Sequence, residues 1–262
     1  MPTGAITGYI DVAQLVLYAF WIFFAGLVIY LRREDKREGY PLESDRSERS
    51  GGRVKVQGFP AMPAPKTLVL AHGGTVTKPD GRRDTREIRA APVGGWLGAP
   101  LEPTGNPMID GVGPASYAQR ADVPDVTLDG QPMIVPMRVV PEYSIAGNDP
   151  DPRGMAVLGA DGVVGGTVVD LWVDRSEPQL RYLEVKVADT QGDRIVLVPG
   201  TMIRIDDRRR QVTLRSVLGH QLADAPTLRN PEQVTRLEED RICGYFAGGS
   251  LYAEPRRLEP LV

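Results

Sequence analysis

The side chains of this sequence best placed to do chemistry are carboxylates, because little else is available. Only two histidines, His72 and His220, and one cysteine, Cys243, occur in 262 residues. Neither histidine belongs to a ligand-spaced pair, so no metal site is expected, and a lone thiol excludes a disulfide scaffold. The acids around Val169–Asp174 form a pattern. Along a strand, side chains alternate between faces, which puts Asp170, Trp172 and Asp174 on one side and Val169, Leu171 and Val173 on the other. Four residues of strand span about 13 Å, too far for a tight catalytic pair of carboxylates. They can serve instead as stations on a water-linked proton path, with Glu177 in the next turn and Arg181 as a charge partner. The alternative is a solvated polar face, since exposed acids are common. Leu237–Tyr252 mixes three consecutive acids with aromatic residues and glycines. It reads either as a docking surface or as a helix end packed on its own domain.

Other chemistries are excluded by missing motifs. The glycines of GADGVVGGT (159–167) precede a Val-rich strand, whereas a dinucleotide fingerprint needs a strand before and a helix after. They read as turn residues. Neither GxxxxGK[ST] nor GxSxG occurs. Without a nucleophile, base and metal constellation, a hydrolase is not expected. With 31 Lys+Arg against 34 Asp+Glu, the net charge of −3 argues against nucleic acid as a partner.

The elements that must position these acids come in three textures. From Val12 to Leu31 the chain reads VAQLVLYAFWIFFAGLVIYL, 20 residues without a formal charge. As a helix this spans roughly 30 Å, the thickness of a hydrocarbon layer. Tyr9 and Tyr30 fit as headgroup anchors near its ends. Arg32, Arg33, Lys36 and Arg37 follow at once, and nothing basic precedes. That asymmetry predicts a retained single span with residues 1–11 periplasmic and the rest cytoplasmic, the basic collar meeting anionic lipid. Residues 32–152 read as this collar followed by an extended segment. The stretch 38–152 holds 16 of the 23 prolines and 15 of the 29 glycines, with no lasting period. It reads either as a linker or as a segment ordered along a partner's surface, and apolar groups such as Leu68–Leu70 and Trp96–Leu97 favour the latter.

After residue 153 β-rich runs take over: 167–173, 182–187, 194–198, 202–205 and 211–214. Turn-forming stretches, 190–193 among them, separate these runs. Five strands at roughly ten-residue spacing predict a small antiparallel barrel or sandwich over 153–262. Leu183, Val185 and Val187 alternate with Tyr182, Glu184 and Lys186, as in a half-buried strand. Asn230-Pro231-Glu232 predicts a helix start, with the helix running through VTRLEEDRIC and ending or turning at Gly248-Gly249.

Several of these pieces resemble one family. YAFWIFFAGL and YLRREDKREGYPLE (30–43), then PKTLVL, GNPMIDGVGPASY, VVDLWVD, RYLEV, PTLRNPEQVTRLEEDRICGY and AGGSLYA, are similar in order to the H-subunit family of the purple bacterial photosynthetic reaction centre. The resemblance implies one transmembrane helix, an extended surface segment and a mainly-β cytoplasmic domain, a PRC-type barrel, with a C-terminal helix. It implies a non-catalytic subunit of the inner, intracytoplasmic (chromatophore) membrane. Such a subunit caps the L and M subunits and binds no cofactor itself. Bacteriochlorophyll, bacteriopheophytin, quinones and non-haem iron would sit in those partners, with a cytochrome subunit and the core light-harvesting ring as further neighbours. It also implies that Asp170, Asp174, Glu177 and Arg181 lie where protons pass to the secondary quinone, and that Asp129 lies near the entry. Some relatives carry two histidines after that acid; Gln131 and Pro132 stand here, so an inhibitory metal site is not expected. PRC-type barrels occur elsewhere too, which leaves a membrane-tethered adaptor outside photosynthesis as the alternative.

Overall fold

The computed structural model describes residues 4–7, 11–40, 58–71, 73–82, 84–96, 98–188 and 194–258. The expectations for Tyr9, His72, Leu97 and the 190–193 turn lie outside the described residues. The chain divides into two units, Met1–Asp84 with Trp96–Gly98, and Thr85–Gly95 with Ala99–Val262.

In the first unit, α1 runs from Val12 to Asp35, four residues beyond the uncharged run. It is long and apolar enough to cross a membrane, and none of its residues is buried. Asp11 caps its start by accepting a hydrogen bond from the Gln14 amide at 2.7 Å, which satisfies one of the free N–H groups there. The unit also holds an antiparallel hairpin, β1 (Lys66–Val69) and β2 (Thr75–Lys78). The second half of the basic collar, Lys36 and Arg37, is folded into the unit. Lys36 is fully buried, and its ammonium donates to the carbonyls of Gly58 and Pro60. Arg37 pairs with Glu34 and donates to the carbonyls of Ala64 (2.8 Å) and Lys78 (3.2 Å).

The second unit begins with a short antiparallel pair, β3 (Ala90–Pro92) and β4 (Leu101–Pro103), followed by the single helical turn α2 (Pro107–Asp110). Its main sheet has seven strands: β5 (Ile134–Pro136), β6 (Ala156–Leu158), β7 (Val164–Asp174), β8 (Gln179–Val187), β9 (Ile195–Pro199), β10 (Ile203–Asp206) and β11 (Gln211–Leu214). The order is β10-β11-β6-β7-β8-β9. β5 shares the edge of β7 with β6, pairing with residues 172–174 while β6 takes 164–167. All five expected strands form. Two were not foreseen, and one of these, β5, comes from the proline-rich stretch, so the main sheet begins before residue 153. The sheet is antiparallel except where β6 and β11 run parallel. Trp172, Leu171, Leu183, Leu197, Leu214, Ile242 and Phe246 are among the fully buried core residues.

The terminal helix α3 (Arg236–Tyr252) starts five residues after Pro231, not at it. Thr235 is its cap: its hydroxyl accepts from the Glu238 amide, and the Glu238 carboxylate accepts from the Thr235 amide. Asn230 closes only a local turn, accepting from the Glu232 amide. Nor do Gly248 and Gly249 end the helix. A Cβ on Gly248 would lie 2.5 Å from the Ala115 Cβ, and one on Gly249 2.7 Å from Val217. These glycines are absent side chains that let the helix press on its neighbours. Gly165 and Gly166 are likewise inside β7, where a Cβ would meet the backbone of Gly219 and Lys186 at 2.4 and 2.5 Å. The turn expected in this stretch is confined to its beginning, where Gly162 has φ +76°.

Candidate functional site

Strand alternation holds only in part: Val169, expected on the face opposite the acids, is exposed and lines the same cleft as Asp170, and the acids themselves are not on a wet face. Asp170 is 6% exposed, Asp174 2% and Glu184 8%. The solvated polar face and the half-buried reading of Tyr182 and Glu184 are both overturned here, because distant chain covers that side. Register explains how. Asp170 stands directly opposite Glu184 and Trp172 opposite Tyr182, with a bulge that leaves Val169 out of the pairing. Two carboxylates therefore face each other across neighbouring strands, an arrangement that is unfavourable without a cation.

Arg138, from the 3-10 turn after β5, supplies that cation. Its guanidinium donates to Asp170 Oδ2 at 3.0 Å and Glu184 Oε2 at 2.8 Å, and also to the Pro231 carbonyl. The Trp172 indole N–H donates to the same Glu184 oxygen at 2.7 Å. Burial works against the Arg138 charge, but Glu184 and Asp170 outweigh it and hold its pKa above the ordinary guanidinium value. The cluster floors a cleft of about 650 Å³ that Tyr143, Ser144, Arg153 and Val169 help to line. Asp170 is thus half of an ion-pair clamp.

Asp174 belongs to a second network at the tip of the β7–β8 hairpin. Its Oδ1 accepts from the amides of Ser176 (2.9 Å) and Glu177 (3.1 Å), closing the turn. Its Oδ2 lies 3.5 Å from Arg181, a residue that the β7–β8 register skips. Such a bulge re-aims a side chain, and here it turns the guanidinium toward Asp174. Glu177 is exposed at the tip, touching Gln179 at 3.2 Å. Asp129 is exposed in the tight loop closed by the Val126–Pro132 bridge. That loop abuts the hairpin tip, since the Arg175 amide donates to the Met133 carbonyl at 2.9 Å and the Arg175 side chain to Pro132 at 3.4 Å. Four of the five expected acid–base residues, Asp129, Asp174, Glu177 and Arg181, thus share one end of the sheet. Asp170 stands apart in the clamp.

A third group lies between β8 and α3. The Tyr182 hydroxyl donates to Glu239 at 3.0 Å and sits 3.9 Å from the Cys243 sulfur. Burial pushes the phenol far above its ordinary value, with Cys243 and Glu239 adding to the shift. Burial also raises Glu239; Tyr182, Arg181 and Arg120 pull it back, and Asp125 raises it further. Arg138, Glu184, Tyr182 and Glu239 did not stand out as site residues in the sequence. The one available signal was the trio of acids 238–240 following a helix cap.

Of the membrane-interface residues, Tyr30, Arg32 and Arg33 are exposed at the end of α1, and Arg32 contacts Tyr40 at 3.3 Å. Lys36 and Arg37, by contrast, are engaged by carbonyls of their own unit. Among the described residues no group of His, Cys, Asp and Glu is arranged to hold a metal ion.

Two family models match the chain. The N-terminal region of the photosynthetic reaction centre H-chain matches residues 4–139, and the PRC-barrel domain matches residues 146–218.

Proposed function

The chain belongs to the H-chain family of the photosynthetic reaction centre, and from that premise we propose that it caps the L and M subunits, stabilises the quinone region and helps conduct protons to the secondary quinone. It is a membrane-anchored subunit of that complex. In the proposed placement the N-terminus is periplasmic and the β domain cytoplasmic, because the cationic side chains cluster only at the far end of α1. Pigments, quinones and iron belong to the partners, and this chain's part is non-catalytic.

The observation that carries this reading is that each unit, taken by itself, leaves large apolar side chains exposed before the main sheet. Phe59 and Val69 are 81% exposed and Leu128 92%, and Ile88, Leu101, Ile109 and Val123 are each at least half exposed. Cover by the L and M subunits would take these side chains out of water. The hairpin tip supplies the proton-handling part. Glu177 is the exposed acid there, on a turn that Asp174 and Arg181 hold in shape.

What the geometry can do is specific. A lid over a quinone that takes up two protons must let protons through while excluding bulk water. An acid on a fixed turn can accept a proton from water on one side and release it on the other, provided its proton affinity lies near the working pH. The test is Glu177→Gln in the assembled complex, with proton uptake followed after the second light flash. Slower uptake supports the assignment, and an unchanged rate removes Glu177 from the path.

A further inference from the structure

Glu239 has a setting that the proton path described above does not use. It lies on α3, facing β8, with its carboxylate held by the Tyr182 hydroxyl at 3.0 Å. The groups acting on it come from two directions. Tyr182 and Arg181 belong to β8, and Arg120 and Asp125 to the chain that crosses the start of the helix, while on α3 itself Cys243 feels the charge of both Glu239 and Asp240. Arg120 is already paired with Asp240 at 3.3 Å. Arg181 acts on two carboxylates at once: it pairs with Asp174 at 3.5 Å and its charge also reaches Glu239. Asp174 in turn holds the amide of Glu177.

We propose that Glu239 is a proton-binding site of this subunit, and that its charge state acts through Arg181 on the Asp174–Glu177 turn. When the carboxylate takes one proton from a hydronium ion, one O–H bond forms on the carboxyl group and one O–H bond of the hydronium breaks, leaving water. Arg181 then loses one of its two negative neighbours and binds Asp174 more strongly, which firms the turn that carries Glu177. Tyr182 keeps its own hydrogen throughout, because burial and the nearby negative groups oppose its ionisation. Its role is to position the carboxylate and favour the ionised form by donating to it. The relay half of this proposal rests on the proposed role of Glu177; the proton-binding half does not.

The experiment is an infrared pH titration of the carboxylic-acid carbonyl signal in the detergent-solubilised complex, paired with the pH profile of second-flash proton uptake. The expected result is that Glu239→Gln deletes one titrating carboxyl signal and the matching step in the uptake profile. Tyr182→Phe, which removes the donor that favours ionisation, is expected to move that signal to higher pH without deleting it. If the Glu239→Gln titration superimposes on that of the unaltered complex, Glu239 is not a proton site. If the signal disappears but the uptake profile is unchanged, the relay through Arg181 is overturned. Should Glu177→Gln slow uptake while Glu239→Gln does not, the relay fails while the proposed function stands, and the titration alone decides whether Glu239 binds the proton.

Discussion

Arg138 shows how a residue with no local signal can decide what the acids around it do. Asp170 and Trp172 were legible on one face of β7 from alternation alone, but whether that face was wet was not. Its cover comes from Arg138, 32 residues earlier, and from the Pro231 carbonyl, which no local window can connect. Arg138→Met keeps an unbranched stem but leaves Asp170 and Glu184 opposed without their cation. Breaking a buried pair costs several kcal/mol, and because Arg138 itself is partly open to solvent the expected loss is about 2–3 kcal/mol. Denaturant unfolding of the complex-free subunit measures it; no loss would mean that the clamp does not hold the sheet. Glu239 gives the pH dependence at this scale. Its folded pKa lies above the unfolded 4.5, so the folded state binds the proton more tightly. Its stabilising contribution is complete below the unfolded value and is lost as pH rises through the folded one. Glu239→Gln is therefore expected to stabilise the domain at alkaline pH and to change little in acid. The comparison of thermal midpoints at the two extremes checks the sign.

At the scale of elements, strands were legible and the terminal helix was misjudged at both ends. The β runs stood out because β-branched residues cluster between turn formers, and all five formed. β6 and β5 were missed because three-residue strands carry too short a pattern. The Asn230-Pro231 signal was chemically sound but made a turn, since the reciprocal Thr235–Glu238 box five residues later offered a better start. Thr235→Ala is expected to cost about 1 kcal/mol, read from denaturant midpoints. The glycines of α3 looked like a stop because glycine is a poor helix former. Their reason is lateral: Gly244, Gly248 and Gly249 let the helix approach the turn at Ala115 and the chain at Val217. Gly248→Ala should therefore destabilise by about 1–3 kcal/mol through overpacking, although alanine is the better helix former. A stabilising Gly248→Ala would show that the contact is slack.

For the whole molecule, composition hid a division that the sequence pattern exposed. The membrane helix was legible because 20 uncharged residues admit few other readings, and the proposed orientation rests on the basic residues after it. What composition could not show is that two of those basic residues, Lys36 and Arg37, hold the chain beyond them by its carbonyls. The proteolysis of residues 58–128 tests the proposed cover by a partner against a free-standing adaptor. In the assembled complex this stretch is expected to resist protease, and in the isolated subunit to be cut first; equal resistance in both would remove the need for a covering partner. The most direct test of the central claim compares the reaction-centre complex with and without this chain, measuring second-flash proton uptake and secondary-quinone reduction. If the subunit covers the quinone region and conducts protons, its removal slows both, and adding back the full chain restores them more completely than adding back Glu177→Gln. Uptake and reduction at full rate without the chain would contradict the account.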